Sequence, residues 1–247
     1  MLSTNIFQIL ISDDDSDKIS NSILDLSKEL CRSFPNSNYS IWNDKQIIDF
    51  LESNYEPQVC KAYESLVPYA YRSDLARYCL LNHFGGWYFD IGTQLANSSE
   101  VAIDPQTEML FFWDIGDLFS PGRSFYDCMN GLIYSKPSNP ILLTAIDLIV
   151  NNCRSKFYGT DSMSPTGPGI LGRAVAINGK TENHYDGQFI QLTPQHGQKN
   201  KAYVLRDGTI FAWHRSHFHN DLNGLNKFGL KGTNDYRKLW QDRNIYL

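Results

Sequence analysis

An aspartate and an arginine three residues apart, followed by a second carboxylate, carry the chemistry readable in this chain. They lie in Tyr71–Thr93, YRSDLARYCLLNHFGGWYFDIGT, where Asp74 and Arg77 fall on a predicted helix. Helix positions three apart share a face, so both side chains can address one ligand. Arginine presents a rigid fork of donors and aspartate accepts from paired hydroxyls. The bland alternative is a surface ion pair worth little. Against it stand the apolar neighbours Leu75, Ala76, Tyr78, Leu80 and Leu81. Gly85-Gly86 suits a helix stop, where positive φ is required, and Trp87, Tyr88 and Phe89 favour a strand. That strand delivers Asp90 at its carboxyl end, where open α/β sheets bind ligands; a turn-forming aspartate is the plainer reading.

Two later segments add candidates. In SPTGPGILGRAV, Thr166, Gly167 and Gly169 precede a helix predicted from about Ile170. Helix N-termini offer unpaired N–H groups and a positive dipole end, and glycine permits close backbone approach; an ordinary turn is the alternative. His214, His217 and His219 follow one another at i, i+3 and i+5, a spacing unlike a zinc signature. A polar loop after the hairpin is the plain reading, preferred for His219; His214 and, more weakly, His217 remain candidates.

The elements that must position these residues alternate. Ile6–Ile11 reads as a buried strand. Asp13–Asp17 is an acidic turn able to cap a helix from near Ser16, with Ile19, Ile23, Leu26 and Leu30 as its apolar stripe. Tyr39–Trp42 reads as a second strand, and Asn43 caps a helix bearing Ile47, Ile48 and Leu51. The β-α-β-α order predicts a parallel sheet with helices packed on it. Beyond Asp90, strands are predicted at Met109–Trp113 and Gly131–Ser135, and an amphipathic helix from Ile141 to near Asn152. Asp207-Gly208 between apolar runs signals a hairpin, and TNDYRKLWQDR a short terminal helix.

The 71–93 stretch resembles the sugar-binding DXD region of glycosyltransferase family 32 and, more distantly, the glucosylating clostridial toxins. The family pattern is roughly small-x-x-S-D-x-x-R, an apolar helix, then G-G-x-Y-x-D-x-D. This chain matches at Ser73, Asp74, Arg77, Gly85, Gly86, Tyr88 and Asp90, and departs at Gly92, where the second acid would stand. The likeness extends to F-Q-I in the first strand, to YSIWND, to GLIYSKPSNPILLTAI (with Asn139 for the usual histidine) and to Thr166-Gly167-Pro168. It implies an α/β, GT-A-like nucleotide-diphospho-sugar transferase fold, a mainly parallel central sheet flanked by helices. It implies one domain over 1–247, with 1–95 the nucleotide-sugar half and 96–247 the acceptor side. Asp74, Arg77 and Asp90 would be catalytic. Gln8, Ser73, Tyr88, Gly86, Thr166, Gly167 and Gly169 would contact the donor, although Gln8 reads as readily as a polar residue on one sheet face. A divalent Mn²⁺ or Mg²⁺ would be held by Asp90 with His214 or His217. Hard cations want oxygen ligands and Gly92 supplies none, so a metal-independent site stands beside that reading.

Composition sets the outer limits. The 247 residues, 42% hydrophobic, suffice for one compact domain. A net charge of −5 without a Lys/Arg block argues against nucleic acid, and requires local cations for an anionic nucleotide sugar. Five cysteines without a C-x-x-C fit a reduced compartment. The N-terminus lacks a basic n-region and does not read as a signal peptide; no stretch reaches membrane-span length. The resemblance thus implies a cytoplasmic enzyme, with room for peripheral association at the inner membrane face. It would retain anomeric configuration while moving a hexose from a UDP- or GDP-sugar to a glycan or lipid-linked glycan of O-antigen, capsule or lipooligosaccharide type. The alternatives are a non-catalytic nucleotide-sugar binder and a toxin-like protein glycosyltransferase.

Overall fold

The structure, a computed structural model, describes residues 4–13, 21–97, 104–115, 126–192, 201–214 and 235–247. Its first part follows the predicted alternation: β1 (Thr4–Ile9), α1 (Asn21–Ser33), β2 (Ser37–Trp42) and α2 (Asp44–Asn54). The acidic turn and the helix start near Ser16 lie outside the described residues. Asn43 caps α2 as its side-chain chemistry dictates: its Oδ1 accepts from Gln46 N, and Gln46 Oε1 accepts from Asn43 N, both at 2.9 Å. Two further helices follow, α3 (Pro57–Ser65) and α4 (Tyr69–Phe84).

Gly85 ends α4 at φ +65°, and Gly86 opens β3 (Gly86–Phe89) at φ +114°. A Cβ on Gly86 would stand 2.3 Å from the Asn5 carbonyl oxygen. Only glycine lets β3 enter the sheet against β1 at that angle.

The remaining elements are β4 (Gln94–Leu95), β5 (Met109–Asp114), β6 (Cys128–Ser135), α5 (Pro140–Ser155), α6 (Pro168–Asn178), β7 (His184–Gln191), β8 (Lys201–Val204), β9 (Ile210–Trp213) and α7 (Tyr236–Gln241). The nine described strands form one sheet in the order β2-β1-β3-β6-β5-β7-β8-β9-β4. The α/β class holds, but the expected mainly parallel pairing does not. Parallel junctions occur only at β2–β1, β1–β3 and β5–β7; the other five are antiparallel. The cause is local: β6 runs backwards between β3 and β5, so neighbours alternate there even though β1, β2, β3, β5, β7 and β9 share one direction.

Period-two alternation distributes the core to both sheet faces. Phe7, Tyr88, Phe111 and Ile133 pack beneath α2–α6. Ile6, Trp87, Phe89, Phe112 and Leu132 face the other way, with Leu30 and Phe34. The helix α4 is buried from Leu75 through Leu81, wedged against α3, α5, α7 and the sheet. A helix hydrophobic all round is a core helix, and this one carries Asp74 and Arg77 inward. No helix among the described residues is long and apolar enough to cross a membrane.

Candidate active site

Arg77 is the hub. Its Nη1 donates to Asp90 Oδ1 at 3.0 Å and to the Asn130 carbonyl at 2.8 Å, and its Nε to the Ser73 carbonyl at 3.1 Å. Nη2 pairs with Asp74 Oδ1 at 3.2 Å. The guanidinium also lies 4.3 Å from the Tyr88 ring centroid, a cation–π contact. Burial works against this charge, but Tyr88, Asp90 and Asp74 overcome it and hold the arginine pKa above its ordinary value.

Asp74 is equally enclosed. Its Oδ1 accepts from Asn130 Nδ2 at 2.8 Å and its Oδ2 from Thr166 Oγ1 at 2.7 Å. Burial pushes its carboxyl pKa up, outweighing Arg77, Thr166 and Asn130, with Asp90 adding to the rise. Asp90 is the open member: its side chain is 21% exposed, against 11% for Asp74 and 6% for Arg77. Tyr88 Oη donates to Asp90 Oδ1 at 2.9 Å. Gly131 makes room for it, since a Cβ there would stand 2.7 Å from Asp90 Oδ2.

The predicted residues divide into those that converge and those that do not. Ser73, Asp74, Arg77, Tyr88, Asp90 and Thr166 form one hydrogen-bonded cluster at the carboxyl end of β3. Gln8 joins it through backbone: its Nε2 donates to the Asp90 carbonyl at 3.5 Å, while its Oε1 accepts from Tyr39 Oη at 2.6 Å and Ser27 Oγ at 3.3 Å. Its amide is thus spent inside the fold, which favours the plain reading of Gln8 over a base contact. Gly167 occupies the N-cap of α6 with its N–H on the Met163 carbonyl, and Gly169 faces Asp127. Gly86 stands at the far end of β3, and its role is the close approach to β1. Tyr88 is only 2% exposed; it orients Asp90 rather than facing solvent. The sequence reading missed Asn130, Tyr78 and Gly131. The predicted strand began at Gly131, one residue too late for Asn130, the single polar residue whose amide bridges Asp74 and Tyr78 Oη. An asparagine interrupting an apolar run was the available signal.

The implied metal meets a poor ligand set. Asp90, Ile91, Gly92 and Thr93 form a turn, with Thr93 N on the Asp90 carbonyl at 3.0 Å and Gly92 at φ +87°. The third turn position demands glycine or asparagine, so the site of the second acid is given over to backbone geometry. Asp90 Oδ1 already takes Arg77 and Tyr88. His214 follows Trp213, the register partner of Gln94, and so lies beside Thr93, with its ring 5.4 Å from that of Phe189. His217 and His219 lie outside the described residues. Among those described, no three His, Cys, Asp or Glu side chains gather to hold a cation. Among the described residues, this ligand set does not fit a divalent cation.

The chain is thus an α/β protein with an Asp-Arg-Asp cluster at the carboxyl end of β3. Residues 20–110 match the family described as "Glycosyltransferase sugar-binding region containing DXD motif", a region that contains Asp74, Arg77 and Asp90. The chain is 28% identical over 109 residues to an uncharacterized glycosyltransferase of Acanthamoeba polyphaga mimivirus. That alignment takes in 40% of this chain and little more than a third, 37%, of the relative's length. The PaToxG glycosyltransferase superposes with a TM-score of 0.53 at 20% identity, covering 71% of this chain and 69% of the other. The GT-A-like fold and the family 32 resemblance expected from the sequence are borne out.

Proposed function

We propose that this protein is a retaining glycosyltransferase that moves a hexose from a UDP- or GDP-sugar to a hydroxyl of a bacterial surface glycan. It would work in the cytoplasm or at the inner membrane face, on a free or lipid-linked O-antigen, capsule or lipooligosaccharide acceptor. The observation that carries the reading is the cluster itself. Asp90 is held by Arg77 and Tyr88 and is the one carboxylate of the three charged groups with substantial exposure. A carboxylate fixed this way accepts from donor hydroxyls without reorganising. Arg77, lodged between two carboxylates, offsets charge that would repel an incoming diphosphate.

In the reaction, the anomeric C–O bond to the diphosphate breaks through an oxocarbenium-like state. The acceptor oxygen bonds to the same face, and its proton passes to the departing phosphate oxygen. Asp74, tied to Thr166 and Asn130, supports Arg77 from behind; Ser73 and Gly167 shape the walls around the sugar, and Gly169 stands at their outer edge.

The test is nucleotide release from UDP-glucose, UDP-galactose, UDP-N-acetylglucosamine and GDP-mannose, each with Mn²⁺, Mg²⁺ or EDTA. One donor should turn over, and EDTA should leave the rate within about twofold, since the Asp90–Thr93 turn offers no second acid. Asp74→Asn and Arg77→Lys should lower that rate on the order of 100-fold, as loss of a preorganised polar contact does. Wild-type rates in both variants would refute the assignment. Donor binding without turnover would favour the non-catalytic reading.

A further inference from the structure

Beside the cluster lies a cleft of about 410 Å³, lined by Asp127, Phe157, Asp161, Ser164, Gly169 and Arg173 among others. That volume falls within the roughly 300–1,000 Å³ range of small-molecule sites. The cleft adjoins the Asp74–Arg77–Asp90 group through two connections. Thr166, which donates to Asp74, is three residues from Gly169. Asp127 lies three residues before Asn130 on the β6 side, roughly 10 Å at strand rise, and its Oδ1 is 3.3 Å from where a Gly169 Cβ would stand.

Its lining selects a ligand class. Among the described residues lining it, the charged groups are Asp127, Asp161 and the Arg173 guanidinium, so a phosphate or diphosphate would meet more repulsion than attraction there. Carboxylates accept from hydroxyls, and arginine donates to ring and hydroxyl oxygens. Phe157 is 39% exposed and presents an apolar face of the kind that covers the C–H side of a sugar ring. Polar groups converging around one exposed aromatic suit a neutral saccharide.

The cleft wall is built in advance. Asp161 Oδ1 accepts from Met163 N at 2.8 Å and Ser164 N at 2.9 Å. Asn152 Nδ2 donates to the Pro165 carbonyl at 2.8 Å. The terminal segment clamps the same loop from outside. Trp240 Nε1 donates to the Tyr158 carbonyl at 2.7 Å, and Tyr246 Oη to that of Phe157 at 2.5 Å. Tyr71 Oη donates to the Ser162 carbonyl. A loop fixed from three sides loses little entropy on binding.

We infer that this cleft binds the neutral saccharide end of the acceptor, with Phe157 stacking on a pyranose ring and Asp127 and Arg173 fixing its hydroxyls. The inference deepens the transferase reading and rests on it for the word acceptor; the saccharide site itself stands apart. The test is saturation-transfer NMR on the full chain with methyl α- and β-glycosides of glucose, galactose, mannose and N-acetylglucosamine, up to about 20 mM, a range suited to millimolar affinity. At least one glycoside should receive saturation. Its affinity should fall about fivefold or more in Arg173→Ala and in Phe157→Ala, the size of one lost polar or stacking contact. Arg173→Lys serves as a second variant should the alanine chains fail to fold, judged by thermal melting. Silence of every glycoside, or equal binding by folded Arg173 and Phe157 variants, would overturn the proposal. The donor panel reads separately. Glycoside binding without nucleotide release would keep the cleft and refute the transferase; nucleotide release without glycoside binding would do the reverse.

Discussion

Replacing Thr166 by valine tests the link between the turn before α6 and α4 with little change in packing. Thr166 is fully buried, and its Oγ1 donates to Asp74 Oδ2 at 2.7 Å. Valine keeps the branched shape and removes only the hydroxyl, so no sizeable cavity opens. A hydrogen bond to a charged group contributes about 1.5–3 kcal/mol, because removing the donor leaves the buried acceptor short of solvation. Asp74 keeps Asn130 and Arg77, which holds the expected loss within that range rather than above it. With a urea slope of about 1–3 kcal/mol/M, the unfolding midpoint should drop by roughly 1 M. In an Asp74→Asn background the same substitution should cost less, about 0.5–1.5 kcal/mol, the value of a neutral pair. The double-mutant cycle therefore has a definite sign. A Thr166→Val midpoint unchanged from wild type, or a cycle without coupling, would mean that this hydroxyl does not hold Asp74.

Two further outcomes follow from the fold. Gly86→Ala should lose about 2–5 kcal/mol, the sum of a left-handed φ for a residue with a Cβ and the clash with the Asn5 carbonyl; a urea midpoint equal to wild type would contradict the β1–β3 approach. His184 is buried, and its Nδ1 accepts from Thr181 N at 3.2 Å. Burial lowers its pKa from 6.5; Glu108 opposes this shift and Lys180 adds to it. The unfolded chain therefore takes up a proton that the folded protein refuses, so stability should fall as pH drops below 6.5. His184→Gln should flatten that decline between about pH 7 and 5; equal slopes for both proteins would exclude His184 as a source.

Much of the framework rests on local chemistry and was legible for that reason. The Asn43 cap, the Gly85-Gly86 stop and the Asp207-Gly208 hairpin each depend on residues within a few positions of one another. The strand β7 was not legible. Its apolar run is broken by Asp186 and Gly187, and the aspartate is tolerated because Trp113 and Lys180 donate to it and Arg206 pairs with it. The reversed strand β6 likewise left no local mark, since strand direction is a property of the pairing and not of the residues.

The candidate site divides along the same line. Helical spacing alone placed Asp74 and Arg77 on one face, and the glycine pair and aromatic run alone placed Asp90 at a strand end. Which of these charges is open and which enclosed was decided in three dimensions. Thr166 reaches Asp74 across 92 residues of chain, and Asn130 reaches it across 56. Those partners come from the turn before α6 and from β6, brought together by a sheet order that no local spacing encodes. Sequence determined the kinds of groups and their near neighbours, because helix and strand periods act over a few residues. Tertiary structure decided their burial, their charge partners and the cleft beside them, because desolvation and ion pairing act between segments that meet only once the sheet has formed.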